Sequence, residues 1–185
     1  MASGPRRATY RHGNLRAEAI AAAYHLATQG GLKALTLRRV AEAVGVAHRS
    51  LYNHFRDREA LEDAVAEAGF LEMGATLKDA PTAEAFVARY VGFALAHRQL
   101  YEVMSSRPHA TMKLKPTLQA AVHLGITEAL RLFGRPARSS AENRRAVMKM
   151  LILVRGGISM HLAGILDVAD DEDLIAELQA MVASG

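Results

Sequence analysis

Gly45 separates two short helical patterns, and that junction constrains the fold more than any other feature of the chain. From position 35 the sequence reads LTLRRVAEAVGVAHRSLYNHF. Leu37, Val40, Ala41 and Val44 recur at helical spacing and share one face. Leu51 and Phe55 give the second segment an inner face of its own. Gly45 lies between them, and a residue without Cβ takes a positive φ at no steric cost. The second segment then presents His48, Arg49, Ser50, Tyr52, Asn53 and His54 away from the core. Imidazoles, a guanidinium, a hydroxyl, a phenol and an amide on one surface suit phosphate oxygens and base edges. Two short helices at a tight turn, the second with such a face, form a helix-turn-helix. Its second helix is expected in the DNA major groove.

Charge is distributed unevenly. Residues 1–60 hold 10 Lys+Arg against 4 Asp+Glu, whereas residues 61–185 hold 13 against 15. The basic excess therefore coincides with the helix-turn-helix, as a polyanion-binding module requires. With no cysteine among 185 residues, disulfides and thiolate metal sites are excluded. That absence fits a reducing cytoplasm, the expected location. No run of about 18 uncharged apolar residues predicts a membrane span. No cofactor is expected.

The remaining chain reads as all-α, with about nine helices. Residues 1–13 are expected to form a flexible basic arm carrying Arg6, Arg7 and Arg11. These arginines either enter a minor groove or belong to a tail without contacts. Asn14 is an N-cap type at the start of the first helix, and Gly30-Gly31 is its stop signal. Thr36 caps the second helix and Asp57 the fourth. Pro81-Thr82 opens the fifth, and Pro116 stands in the first turn of another. Ser139 and Glu142 have capping-box spacing ahead of a long apolar helix to about residue 166. The acidic cluster at 170–173 opens a final helix. The expected division is an arm at 1–13, a helix-turn-helix domain at 14–60 and a sensing and dimerisation domain at 61–185.

Three stretches together resemble the tetracycline-repressor (TetR) family. They are Tyr10-Arg11-His12-Gly13-Asn14-Leu15-Arg16, Thr36-Leu37-Arg38-Arg39-Val40-Ala41 with Gly45-Val46, and the run from Leu51-Tyr52-Asn53-His54-Phe55 to Leu61. The likeness covers about residues 10–70. The stretch Tyr90 to His97 with Leu100-Tyr101 is similar to a C-terminal subtype of that family. That subtype carries a Trp and a His-Gly later on; here Leu151 and Arg155 stand in those places and only Gly156 is retained. The resemblance implies a homodimer that binds a two-fold double-stranded DNA operator. It further implies release when a small-molecule effector of unknown identity occupies the C-terminal domain.

On this basis His48, Arg49 and Ser50 occupy the first turn of the recognition helix. Arg49 is the candidate base reader, because a guanidinium bonds guanine O6 and N7 together, worth about 1–3 kcal/mol of discrimination; phosphate contact alone is the alternative. Tyr52, His54 and Arg58 match positions that bind phosphate in the family, with a structural role the alternative for Tyr52 and His54. Thr36 either donates to phosphate or simply caps its helix, and both can hold. Arg38 and Arg39 are phosphate contacts or a solvated face. Ala47 stands where a Ser or Thr usually caps the recognition helix, and Asn53 completes the candidate DNA-binding set.

The long helix and the final helix carry more apolar surface than so small a core covers. This predicts a four-helix interface between two subunits, with Leu151, Ile158, Leu162, Ile165, Leu174, Leu178 and Met181 as candidates. A wholly intramolecular core is the alternative. An effector pocket is expected between the fifth, seventh and eighth helices, with Phe86, Tyr90, Phe93, Met104, Met112, His123 and Met148 as candidate lining. Two rival readings remain open. An enzyme is disfavoured by the lack of a His-Glu-x-x-His pair or a Gly-rich phosphate loop. A sensorless architectural protein, or an activator, would share the same DNA module.

Overall fold

The computed structural model describes residues 14–183. Among them are ten helices and no strand: α1 Leu15–Ala34, α2 Leu37–Val44, α3 His48–Leu51, α4 Arg58–Leu77, α5 Ala83–Ala96, α6 Arg98–Ser105, α7 His109–Met112, α8 Pro116–Phe133, α9 Ser140–Leu162 and α10 Asp171–Ala183. The arm at 1–13 lies outside the described residues. The helix beyond the nine expected is α7, a single turn following Pro108 and too short for periodicity to register.

Local chemistry sets most boundaries. Thr36 accepts a hydrogen bond from the Arg39 amide, Asp57 from the Ala60 amide and Thr82 from the Ala85 amide. Ser139 and Glu142 close a full capping box at α9. Asp170 accepts from the amides of Glu172 and Asp173 at the start of α10. Asn14 differs from expectation: its side chain makes no cap bond, and only its carbonyl enters α1, accepting from Glu18.

Gly31 takes φ 57° and ψ −149°, so α1 breaks there before one last turn reaches Ala34. A Cβ at Gly31 would also meet Glu102 Oε2 at 3.3 Å, because α6 lies against this end of α1. Gly45, at φ 71°, ends α2 in the left-handed region and turns the chain into α3.

Leu15, Ala19, Ala23 and Ala27 of α1 meet Leu37, Val40 and Ala41 of α2, with Leu51 and Phe55 closing the small core. The Arg16 guanidinium sits 5.7 Å from the Phe55 ring centroid. α4 then leaves this module through Leu61 and Val65, which belong to the same continuous core. Further along, α4 crosses α8 closely enough that a Cβ on Gly74 would lie 2.8 Å from Leu124. α5 is buried along most of its length, and α10 lies across α5 and α9. No helix among the described residues is long and apolar enough to cross a membrane.

Candidate nucleic-acid interface and effector cavity

Residues 48–55 form one continuous stretch of about two turns. α3 itself covers only His48–Leu51, but the Phe55 amide still bonds the Leu51 carbonyl and Tyr52 keeps helical angles. Leu51 and Phe55 are buried, while His48, Arg49, Tyr52, Asn53 and His54 are exposed and Ser50 is half-buried. The Tyr52 ring is held edge-on to His48 with centroids 5.1 Å apart, which orders both without burying either. Ala47 is extended, as a cap residue should be, yet it supplies no side-chain bond to the amides behind it. At the head of α2 the Thr36 hydroxyl oxygen is used for capping, and its O–H remains a donor. Arg38 pairs with Glu42 at 2.9 Å on an exposed face.

Arg58 is placed differently from the other candidates. Its Nε donates to Glu62 at 2.7 Å, and a terminal nitrogen donates to the Leu32 carbonyl at 2.7 Å. The side chain therefore ties the start of α4 to the end of α1. Glu62 is the one buried charged residue among those described. It also accepts from Arg107 at 3.0 Å, and Arg107 reaches Asp63 at 3.5 Å. Lys115 bonds both Asp63 and Glu59. Burial works against the charge on Lys115, but the bonds to Asp63 and Glu59 outweigh it and hold its ammonium above the usual value. Three cations and three carboxylates thus join α4 to the chain on either side of α7. The network was not legible in the sequence, because its bonded partners lie up to 56 residues apart.

A cavity of about 730 Å³ lies among α4, α5, α8 and α9. Phe86, Tyr90, Met112 and Met148 of the expected set line it. The other three do not. Phe93 is buried against the His97 ring, 4.8 Å between centroids. Met104 is taken up by the crossing of α6 and α4, where a Cβ on Gly69 would lie 2.7 Å from its sulfur. His123 is exposed on the outer side of α8. Sequence reasoning missed Phe70, Met73 and Leu77 from α4, and Arg107, Arg144 and Arg155. For α9 a signal was present: positions 144, 148, 151 and 155 repeat at helical spacing and so share a face. Arg107 gave none, because only the tertiary fold brings it there. Burial and then Tyr101 push the Tyr90 hydroxyl well above its usual pKa, the two hydroxyls lying 3.2 Å apart.

The expected interface residues also divide. Ile158, Leu174 and Leu178 are 1%, 1% and 3% exposed within a single chain. They hold α9 to α10, where a Cβ on Gly157 would lie 2.7 Å from Leu178, so they offer no surface to a second copy. This corrects their expected placement. Leu151 is half-buried on the cavity wall. Leu162, Ile165 and Met181 are exposed, and with them Ile152 and Met160.

The family of bacterial regulatory proteins called tetR matches residues 19–65. The tetracyclin repressor-like C-terminal domain matches residues 83–183, more than half of the chain. The chain belongs to the TetR family. Over 53 residues it is 47% identical to the tetracycline repressor protein class A from transposon 1721 of Escherichia coli, and 45% identical to the class C repressor of the same organism. Each match takes in 29% of this chain and spans 24% of the relative's length. A solved protein of unknown function from Rhodococcus sp. RHA1 is 29% identical, with a TM-score of 0.74 over 97% of this chain and 98% of that one. A TetR variant from Acinetobacter baumannii AYE, solved in complex with minocycline, has a TM-score of 0.62 at 23% identity over 90% of each chain, a likeness of fold. TetR membership accounts for the helix-turn-helix followed by a helical bundle, and it places the chain with regulators rather than enzymes.

Proposed function

We propose that this TetR-family chain is a homodimeric regulator that holds a two-fold DNA operator with paired recognition helices and releases it when an effector fills the cavity. The observation that carries the reading is the outward row His48, Arg49, Tyr52, Asn53 and His54, set on a helix whose core contacts are already made by Leu51 and Phe55. The E. coli relatives named as repressors match 53 residues of the chain, and the Acinetobacter neighbour was solved with minocycline. Both support a ligand-released repressor.

Release would pass through α4. One end of this helix anchors α1 through Arg58, and the other end supplies Phe70, Met73, Gly74 and Leu77 to the cavity wall. An effector that fits one spacing of the two DNA modules better than the other shifts the equilibrium by that difference in affinity.

Dimerisation would use the open face of α9. Met148, Ile152, Gly156 and Met160 repeat every fourth residue, and the three side chains are 58%, 66% and 42% exposed. A Cβ on Gly156 would meet nothing within 4 Å in its own chain, so a second helix can approach closely. Gly156→Arg should therefore leave the protomer folded while blocking the approach. The parent is expected at twice the chain mass, with DNA binding that weakens steeply as salt rises. The variant is expected at monomer mass with much weaker DNA binding. A parent of single-chain mass, or a variant that stays dimeric, would contradict this interface.

A further inference from the structure

We infer that the cavity takes an organic anion with an apolar body, whose charged group is bound by the arginines of the wall; the inference rests on the effector-sensor reading above. The cavity of about 730 Å³ is lined by Arg107, Arg144 and Arg155, and no Asp or Glu stands among its lining residues. Among the described residues, neither Arg144 nor Arg155 has a carboxylate within ion-pair distance; the one hydrogen bond of Arg155 is a long 3.5 Å contact to the Ser105 carbonyl. Arg107 has carboxylate partners in Glu62 and Asp63, yet its Nε is buried without any hydrogen-bond partner. A buried N–H of this kind is costly unless something accepts from it. The rest of the wall is apolar, with Phe70, Met73, Leu77, Phe86, Val122 and Ile126 available to an aliphatic or aromatic body. A neutral apolar ligand would leave the Arg144 and Arg155 guanidiniums and the Arg107 Nε unanswered, and a cation would be repelled by them. A carboxylate or sulfonate accepts from guanidinium in the bidentate way that arginine favours.

Arg107 also makes the charge of the ligand matter to DNA binding. The same guanidinium holds Glu62, and Glu62 holds the Arg58 side chain that bonds the Leu32 carbonyl in the DNA module. An anion drawn to Arg107 competes with Glu62 for it.

Three probes of one chain length separate the possibilities: decanoate, decan-1-ol and decylammonium, titrated calorimetrically into the full-length protein. Decanoate is expected to bind at least about tenfold more tightly than decan-1-ol, about 1.4 kcal/mol, with decylammonium weakest. Among the described residues Arg155 bonds only the Ser105 carbonyl, and at a long 3.5 Å, so Arg155→Gln should keep the fold and bring decanoate and decan-1-ol toward equal affinity. Arg107→Lys should do the same and also blunt DNA release. If decan-1-ol binds as well as decanoate and still releases DNA, the anion inference fails while the sensor reading stands. If none of the three binds, the anion inference fails. If the loaded protein keeps its DNA affinity, the sensor reading fails instead.

Discussion

Arg49 and Tyr52 stand three residues apart on the recognition helix and should fail in different ways when removed. A guanidinium in the groove distinguishes bases, whereas a phenol hydroxyl on phosphate adds affinity to every sequence alike. Arg49→Ala is expected to lose about 1–3 kcal/mol on the preferred sequence and little on random DNA. Tyr52→Phe should lose similarly on both, and if it touches a phosphate through its hydroxyl it leaves the salt slope nearly unchanged. Equal losses on both DNAs for Arg49→Ala would exclude its reading role. Ala47 offers a gain instead: it has cap geometry and no cap group, so Ala47→Ser should stabilise the module by about 0.5–2 kcal/mol in denaturant unfolding. No change would mean the serine hydroxyl does not reach the amides of α3. At this scale the caps were legible in the sequence, because Thr36, Asp57 and Ser139 each act on the amide three residues away. Arg58 was not, since its partners are Glu62 and a carbonyl 26 residues earlier.

Helices were legible wherever one face is apolar and the ends carry their own signals. What periodicity does not say is which neighbour covers a face. Ile158, Leu174 and Leu178 are as apolar as an interface would need, yet α10 folds back on α9 and they cover one another. Met104 suits a pocket, but α6 crosses α4 at Gly69 and absorbs it. The junction of α9, α10 and α6 carries a prediction. Asp171 accepts from His161 at 2.7 Å and from Arg98 at 2.9 Å, and these contacts, His161 first, hold its carboxyl below the usual carboxylate range. Folding therefore favours the ionised form. The stabilisation is present above about pH 4, where the unfolded carboxylate is ionised, and is lost as pH falls through the lower folded value. Asp171→Asn should lower Tm near neutral pH, and its deficit should shrink steadily below about pH 4. A deficit that stays constant into acid would show that the carboxylate charge contributes nothing. Both Asp171 and Arg98 are nearly half exposed, so added salt should narrow the difference as well.

For the molecule as a whole, the basic first third and the near-neutral remainder are joined by one helix. α4 begins in the charge network beneath the DNA module and ends in the cavity wall, so one continuous helix links the two. The open stripe on α9 adds a second coupling, since Ile152 borders both that stripe and the cavity. The DNA-binding motif could be read from charge and spacing, and the shared face of Arg144 and Arg155 from helical periodicity, while Arg107 joins the cavity only once the helices are assembled. The most direct test of an operator-binding regulator is selection of duplexes by the purified protein from a random pool at moderate salt. Enrichment of a palindrome, with half-sites spaced to suit a two-fold dimer, is the expected result. Salt-sensitive binding without any enriched sequence would contradict it, and would mean that His48, Arg49 and their neighbours grip only the DNA backbone.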